Sequence, residues 1–263
     1  MKQILTILTV AAAFTLAGTS CKKNDDNNNN TTSVDSGSVY IHLHTNIDSN
    51  EVDDYGTAYP DANGRQISLS KAQLYLSNIR MIKTDGTQYA LPNAVIILKD
   101  LETESYFLAK VPTGSYKSIM FNVGLDAATN AKTPTATDSA LNHSDMWFGS
   151  SAQPDGYVFV DLEGSVDTTA GGNGSTALMQ PFTYKIGTNG HLNTVTMPDH
   201  TPVYSIAKDQ SQFVHIIIDY SKLLSGVSLN NSANLSVKTA ADNNSAVSNT
   251  ISSNVPSMFK YEE

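Results

Sequence analysis

The sequence predicts an all-β protein: an antiparallel β-sandwich or barrel-like single domain with long loops and one or two short helices. Three observations carry this. Apolar and polar residues alternate with period two over segments of strand length. Turns bearing Gly or Pro punctuate those segments at short intervals. No long segment carries the 3.6-residue apolar period of an amphipathic helix. The 263 residues suit one ordinary core.

The chain opens on an address. Lys2 gives a positive start, Ile4 to Leu16 is an apolar stretch of signal-peptide length, and Ala17-Gly18-Thr19-Ser20 precede Cys21. Small residues ahead of a single cysteine resemble a bacterial lipobox, with Gly18 where Leu is usual. Residues 1–20 are therefore expected to be a lipoprotein signal peptide, and Cys21 the lipidated N-terminus of the mature protein. Residues 21–35 run through Lys22-Lys23-Asn24-Asp25-Asp26 and Asn27–Asn30. They lack apolar area to bury, which predicts a disordered tether. Acidic residues after the cysteine resemble the export signal of some surface lipoproteins. The expected location is the cell envelope, as an outer-membrane lipoprotein open to surface exposure.

Residues 36–263 form the predicted β-domain. Val39, Ile41 and Leu43 alternate with Tyr40, His42 and His44, a half-buried strand. A long segment from Ile67 to Ile82 meets Gln88–Leu91 across Asp85-Gly86, a hairpin signal. Val95–Leu98, Tyr106–Ala109, Tyr116–Val123 and Tyr157–Leu162 follow as strands. Phe182–Ile186 and Leu192–Met197 flank Gly187-Thr188-Asn189-Gly190 as a second hairpin, and Phe213–Tyr220 is the last strong strand. Short helical pieces fit Ser221–Leu224 and Ala246–Ser253. Ala127–Asn142 and Asp167–Ala177 lack a strand pattern and read as long loops.

Composition excludes several functions. A net charge of −9 argues against nucleic acid as a partner. One cysteine leaves no intrachain disulfide framework and no cysteine-cluster metal site. No nucleophile elbow, phosphate-binding glycine loop or zinc-protease helix motif occurs, so an enzyme is not expected. Asp48 to Asp54 is acidic but lacks EF-hand spacing. The histidines are the stronger lead. His42 and His44 lie at i, i+2, so both rings leave one sheet face with Tyr40 beside them. Imidazole suits copper and zinc. A third ligand is open among His143, His191, His200, His215 and the thioether of Met146. Trp147, the only tryptophan, reads as an anchor under a long loop.

Ser70-Lys71-Ala72-Gln73-Leu74-Tyr75-Leu76-Ser77-Asn78-Ile79-Arg80 resembles an LxYYxSNxRL-type strand. Val111-Pro112-Thr113-Gly114-Ser115-Tyr116 through Phe121-Asn122-Val123-Gly124-Leu125-Asp126 resembles a P-x-G-x-Y…F-x-x-G-V-D stretch, with Asn130 after it. Asp145-Met146-Trp147 and Gly156–Gly164 resemble an M-x-W…GY-x-F-x-x-x-EG block, and Phe182–Gly187 an F-x-Y-H-I-G strand. Together these resemble the copper-binding MbnP-like domain family, named for a methanobactin-associated protein. The resemblance implies a secreted or lipid-anchored β-domain and copper held through histidines. It also implies, in some members, oxidation of the M-x-W tryptophan by a di-haem, peroxidase-like partner; Trp147 is the matching residue. Lys185 stands where the F-x-Y-H-I-G motif has His, and an ammonium has no lone pair for a metal. A site built on His42 and His44 would then draw its third ligand from His191 or Met146. The alternative is a surface module for glycan or protein that keeps the fold without the metal site.

Overall fold

The structure is a computed structural model and describes residues 34–262. The predicted signal peptide, Cys21 and the tether up to residue 33 lie outside the described residues.

Strands are numbered along the chain. The first half runs β1 (Ser36–Ile47), β2 (Asn50–Glu51), β3 (Ala58–Pro60), β4 (Gln66–Lys83), β5 (Gln88–Ala90), β6 (Ile97–Lys99), β7 (Ser105–Pro112) and β8 (Gly114–Val123). The second half runs β9 (Val158–Asp167), β10 (Met179–Gly187), β11 (Asn193–Thr196), β12 (Tyr204–Ile206), β13 (Ser211–Asp219), β14 (Ser236–Val237) and β15 (Phe259–Tyr261). Two short α-helices, α1 (Ala127–Asn130) and α2 (Ala246–Asn254), complete the regular structure with several 3-10 turns.

The strands build two sheets. The smaller holds β15-β13-β1, with β7 and β2 both pairing the other edge of β1. The larger is centred on β11-β8-β4-β9-β10-β14, with β12 on β8 and β3, β5 and β6 on β4. Most pairings are antiparallel, as the sequence predicts, but β1 pairs β13 and β10 pairs β14 in parallel. Parallel neighbours need long connections rather than hairpins, which is why local sequence signals do not reveal them.

The alternation read from the sequence sets the layers. Val39, Ile41 and Leu43 of β1 and Val214, Ile216 and Ile218 of β13 are buried in one cluster. They share it with Leu74 and Leu76 of β4, Phe121 of β8, Leu162 of β9 and Tyr184 and Ile186 of β10. The two sheets thus face each other across one core, and their other faces point away from it. The larger sheet's outer face is covered in turn. Tyr75 and Phe159 project from it and pack with Leu125, Leu141, Met146 and Tyr157 of the chain between β8 and β9. The outer face of the smaller sheet carries His42, His44 and His215.

Two local expectations are corrected. The segment after Val123 is not structureless at its start: Asp126 caps α1 by accepting from the amides of Ala128 and Thr129. The hairpin expected across Gly187–Gly190 does not form, because β11 pairs β8 whereas β10 pairs β9 and β14. Thr188, at φ 68°, and the 3-10 turn Asn189–His191 carry the chain away from β10. The helical pieces near 221 and 246 are present, as a 3-10 turn Tyr220–Leu224 and as α2.

Candidate metal centre on the small sheet

Strand register assembles the site. β1 is flanked by β13 and β7, and His42 is the direct partner of His215 on one side and of Ser105 on the other. One pleat earlier, Tyr40 is partnered by Phe213 and by Phe107. All these side chains leave the outer face, so the surface is a ladder of rings. The His42 ring stacks on His44 at 4.5 Å between centroids and on His215 at 5.0 Å. Tyr40 stacks on Phe213 at 4.9 Å and meets Phe107 edge-on at 5.3 Å.

Ligating atoms of His42, His44 and His215 lie within 4.8 Å of one another. Three carboxylates surround them. Glu104, held beside β1 where its carbonyl accepts from the Leu43 amide at 2.9 Å, places Oε2 3.0 Å from Nε2 of His42. Glu51, on β2, places Oε1 2.5 Å from Nδ1 of His44. Glu262 places one oxygen, Oε2, 3.2 Å from Nε2 of His44 and 3.1 Å from Nδ1 of His215. Three imidazoles and the carboxylates around them form a donor set that suits a first-row metal ion.

The structure brings His42 and His44 together, and their third imidazole is His215. His191 and Met146 are placed elsewhere, and of the five candidates for a third ligand His215 is the one beside the pair. His191 is buried beneath the 3-10 turn Ala241–Asn244, with Nε2 2.7 Å from the Asn243 carbonyl oxygen. Met146 is fully buried in the cluster under the larger sheet's covering segment. His200 stacks on Tyr204 at 4.3 Å and its Nδ1 lies 2.6 Å from the Pro202 oxygen. His143 is the exposed residue before the 3-10 turn Ser144–Met146. Among the described residues, no metal-capable trio includes Asp48, Asp53 or Asp54; from that acidic segment only Glu51 joins such a group. Glu104 and Glu262 are the residues sequence reasoning missed, and no local signal marks either.

Lys185 belongs to the other outer face. It sits on β10, directly opposite Asp161 of β9, with Nζ 2.5 Å from Asp161 Oδ2 and 3.2 Å from Glu163 Oε1. Lys71 completes this group, 2.7 Å from Asp145 and 3.5 Å from Asp161. Asp161 is fully buried, and burial raises its carboxyl to about 6 while the Lys185 ammonium pulls the other way. Trp147 lies over this face, half-buried, with its backbone bridging Tyr157 and its indole N–H without a protein partner. The position of the family motif's histidine is thus filled by an ion-paired ammonium, and the residues there do not fit a metal. Lys185 is not a missing ligand of the histidine cluster.

A two-sheet β-domain with one loop-covered face and one face of clustered imidazoles defines the class. The profile of the MbnP family matches residues 36–244, and the chain belongs to that family. Among solved structures it is similar to MbnP from Methylosinus trichosporium, at 16% identity over 75% of this chain and 80% of that one, with a TM-score of 0.53. At that identity the likeness concerns the fold. No curated protein matches the chain.

Proposed function

We propose that this is a non-enzymatic, lipid-anchored envelope protein that binds copper on the outer face of its smaller sheet. The observation that carries the reading is the convergence of His42, His44 and His215 through the parallel register of β1 and β13. The donor set fits: His44 has Nδ1 taken by Glu51 and Nε2 turned toward Glu262, which also reaches His215. Bound copper would supply a redox-active or stored metal ion; the chain's part is to hold it with neutral imidazoles whose orientation the carboxylates fix. The same anchoring at Cys21, and a di-haem peroxidase-like partner acting near Trp147, belong to this reading through the family resemblance. Copper titration of the purified protein tests it. His42→Ala/His44→Ala and His215→Ala should each weaken binding by more than about tenfold. Wild-type affinity should fall from about pH 7.5 to about pH 5.5, because protonated imidazole cannot ligate. Equal binding by wild type and the double variant would sink the site. For the anchor, Cys21→Ala should abolish palmitate incorporation; equal labelling of the variant would sink that part.

A second reading has its own observation. Phe107 and Phe213 are 53% and 38% exposed, and both pack on Tyr40 beside the imidazoles. Such an exposed aromatic cluster also suits a sugar ring or an aromatic peptide side chain. Glycan or peptide binding that survives His42→Ala/His44→Ala and is lost in Phe107→Ala/Phe213→Ala would favour it.

A further inference from the structure

We propose that Glu262, delivered by the C-terminal strand, is the fourth donor of the histidine site and tilts it toward a divalent metal, Cu(II) or Zn(II), and away from Cu(I). This deepens the metal-binding reading and rests on it.

The first argument is placement. β15 pairs antiparallel with β13, and the Glu262 amide donates to the carbonyl of His215 at 3.3 Å. Backbone pairing therefore sets this carboxylate beside the very strand that supplies the third imidazole. The family match ends at residue 244, so the donor comes from a segment beyond the matched span.

The second argument is spacing. Glu262 Oε2 lies 3.2 Å from His44 Nε2 and 3.1 Å from His215 Nδ1. With metal–donor bonds of about 2.0 Å, neighbouring donors stand about 2.8 Å apart at right angles and about 3.3 Å apart at tetrahedral angles. The two edges that run from this carboxylate oxygen to the two imidazole nitrogens already have the lengths of a coordination polyhedron. Glu51 takes Nδ1 of His44 and Glu104 takes Nε2 of His42, whose Nδ1 lies 3.4 Å from the Ser105 hydroxyl; a carboxylate on one ring nitrogen is what orients a ligating histidine.

The third argument is hardness. Thioether and thiolate donors select Cu(I), whereas imidazole and carboxylate favour the divalent ions. Every methionine of the described residues is elsewhere. Met81, Met146, Met197 and Met258 are buried in the cores, and Met120 and Met179 lie on strands of the larger sheet. Glu262 is 40% exposed in its side chain, so replacing it leaves the core untouched.

The test compares wild type with Glu262→Gln in competition titrations against Cu(II), Zn(II) and, under anaerobic reductant, Cu(I). The potential of the bound copper is measured on the same samples. Glu262→Gln should weaken Cu(II) and Zn(II) by about tenfold or more and leave Cu(I) within about twofold. The Cu(II)/Cu(I) potential should rise in the variant, because the oxidised ion loses the greater share of stabilisation. The Cu(II) electron paramagnetic resonance spectrum should also change as an oxygen donor is lost. Unchanged divalent affinity, spectrum and potential in Glu262→Gln would overturn the fourth-donor assignment while leaving the histidine site standing. An equal loss for Cu(I) and Cu(II) would overturn the tilt toward divalent ions. A wild type that binds none of the three ions would overturn the metal-binding reading itself, and this inference with it.

Discussion

Asn130 is a fully buried asparagine with both ends of its amide in use. Its Oδ1 accepts from the Tyr157 amide at 2.7 Å, and its Nδ2 donates to Asn189 Oδ1 at 2.9 Å. It thus ties the end of α1 to the chain entering β9 and to the turn that leaves β10. Gly156, just before Tyr157, has φ +104°, and a Cβ there would sit 2.5 Å from Asn130 Oδ1. Both features protect one contact, and that contact closes the cover over the larger sheet. Asn130→Ala leaves the buried Tyr157 amide without its partner, a cost of about 2 kcal/mol, while the exposed Asn189 carboxamide turns to water. For a body of this size the thermal midpoint should drop by about 4–8 °C. The outer-face cover should loosen with it, seen as faster amide exchange at Tyr157 and Phe159. A midpoint within about 1 °C of wild type would show that water replaces the asparagine without loss. The sequence marks Asn130 only through its place after the F-x-x-G-V-D-like stretch; its two partners lie 27 and 59 residues away.

At the level of elements, period two reveals which face a residue takes and says nothing about its neighbour. That is why His42 and His44 are legible as a pair and His215 is not singled out. Phe213, His215 and Ile217 also alternate with buried Val214, Ile216 and Ile218, so the outward direction of His215 is readable. Its pairing with His42 depends on a parallel contact between strands more than 150 residues apart, which has no turn to announce it. Glu262 is harder still, because β15 has three residues and follows a helical stretch. The β4–β5 hairpin is the opposite case: Asp85-Gly86 is a local signal, and Arg80 to Ile82 pair with Ala90 to Gln88 across it. The predicted hairpin across Gly187–Gly190 fails for a matching reason. Its glycines signal a reversal, but Thr188 and the Asn189–Asn130 contact turn the chain toward β8 instead. Local chemistry thus predicts the strands and their faces, whereas the site depends on which strands meet.

The whole molecule has two outer faces with different chemistry, and they should respond independently. Phe182, Tyr184 and Ile186 point from β10 into the core, as Val39, Ile41 and Leu43 do from β1, so Lys185 and His42 point away from each other on opposite sides. Lys185→Met and Lys185→His should therefore bind copper as wild type does, and a gain of more than about tenfold in Lys185→His would show that the faces communicate. Stability should behave differently. Lys185→Met removes the closest countercharge of a buried carboxylate and leaves Lys71 at 3.5 Å from it. A cost of about 2 kcal/mol is expected at neutral pH, below that of breaking a fully buried pair because both lysines are partly open to solvent. The pH dependence follows from Asp161, whose carboxyl burial pushes up to about 6 against the pull of the Lys185 ammonium. The folded state holds this proton more tightly than the unfolded chain. Its contribution to stability is full below the ordinary carboxylate range and is lost as pH rises through about 6. Without the ammonium the carboxyl is pushed higher still, so the loss continues to higher pH in the variant. The deficit of Lys185→Met should therefore be small near pH 5, where the carboxyl is protonated in both proteins, and largest near pH 8. Thermal unfolding of wild type and Lys185→Met across that range reads it directly. A deficit of the same size at both ends would mean that Lys185 stabilises the face by packing its aliphatic stem rather than by its charge.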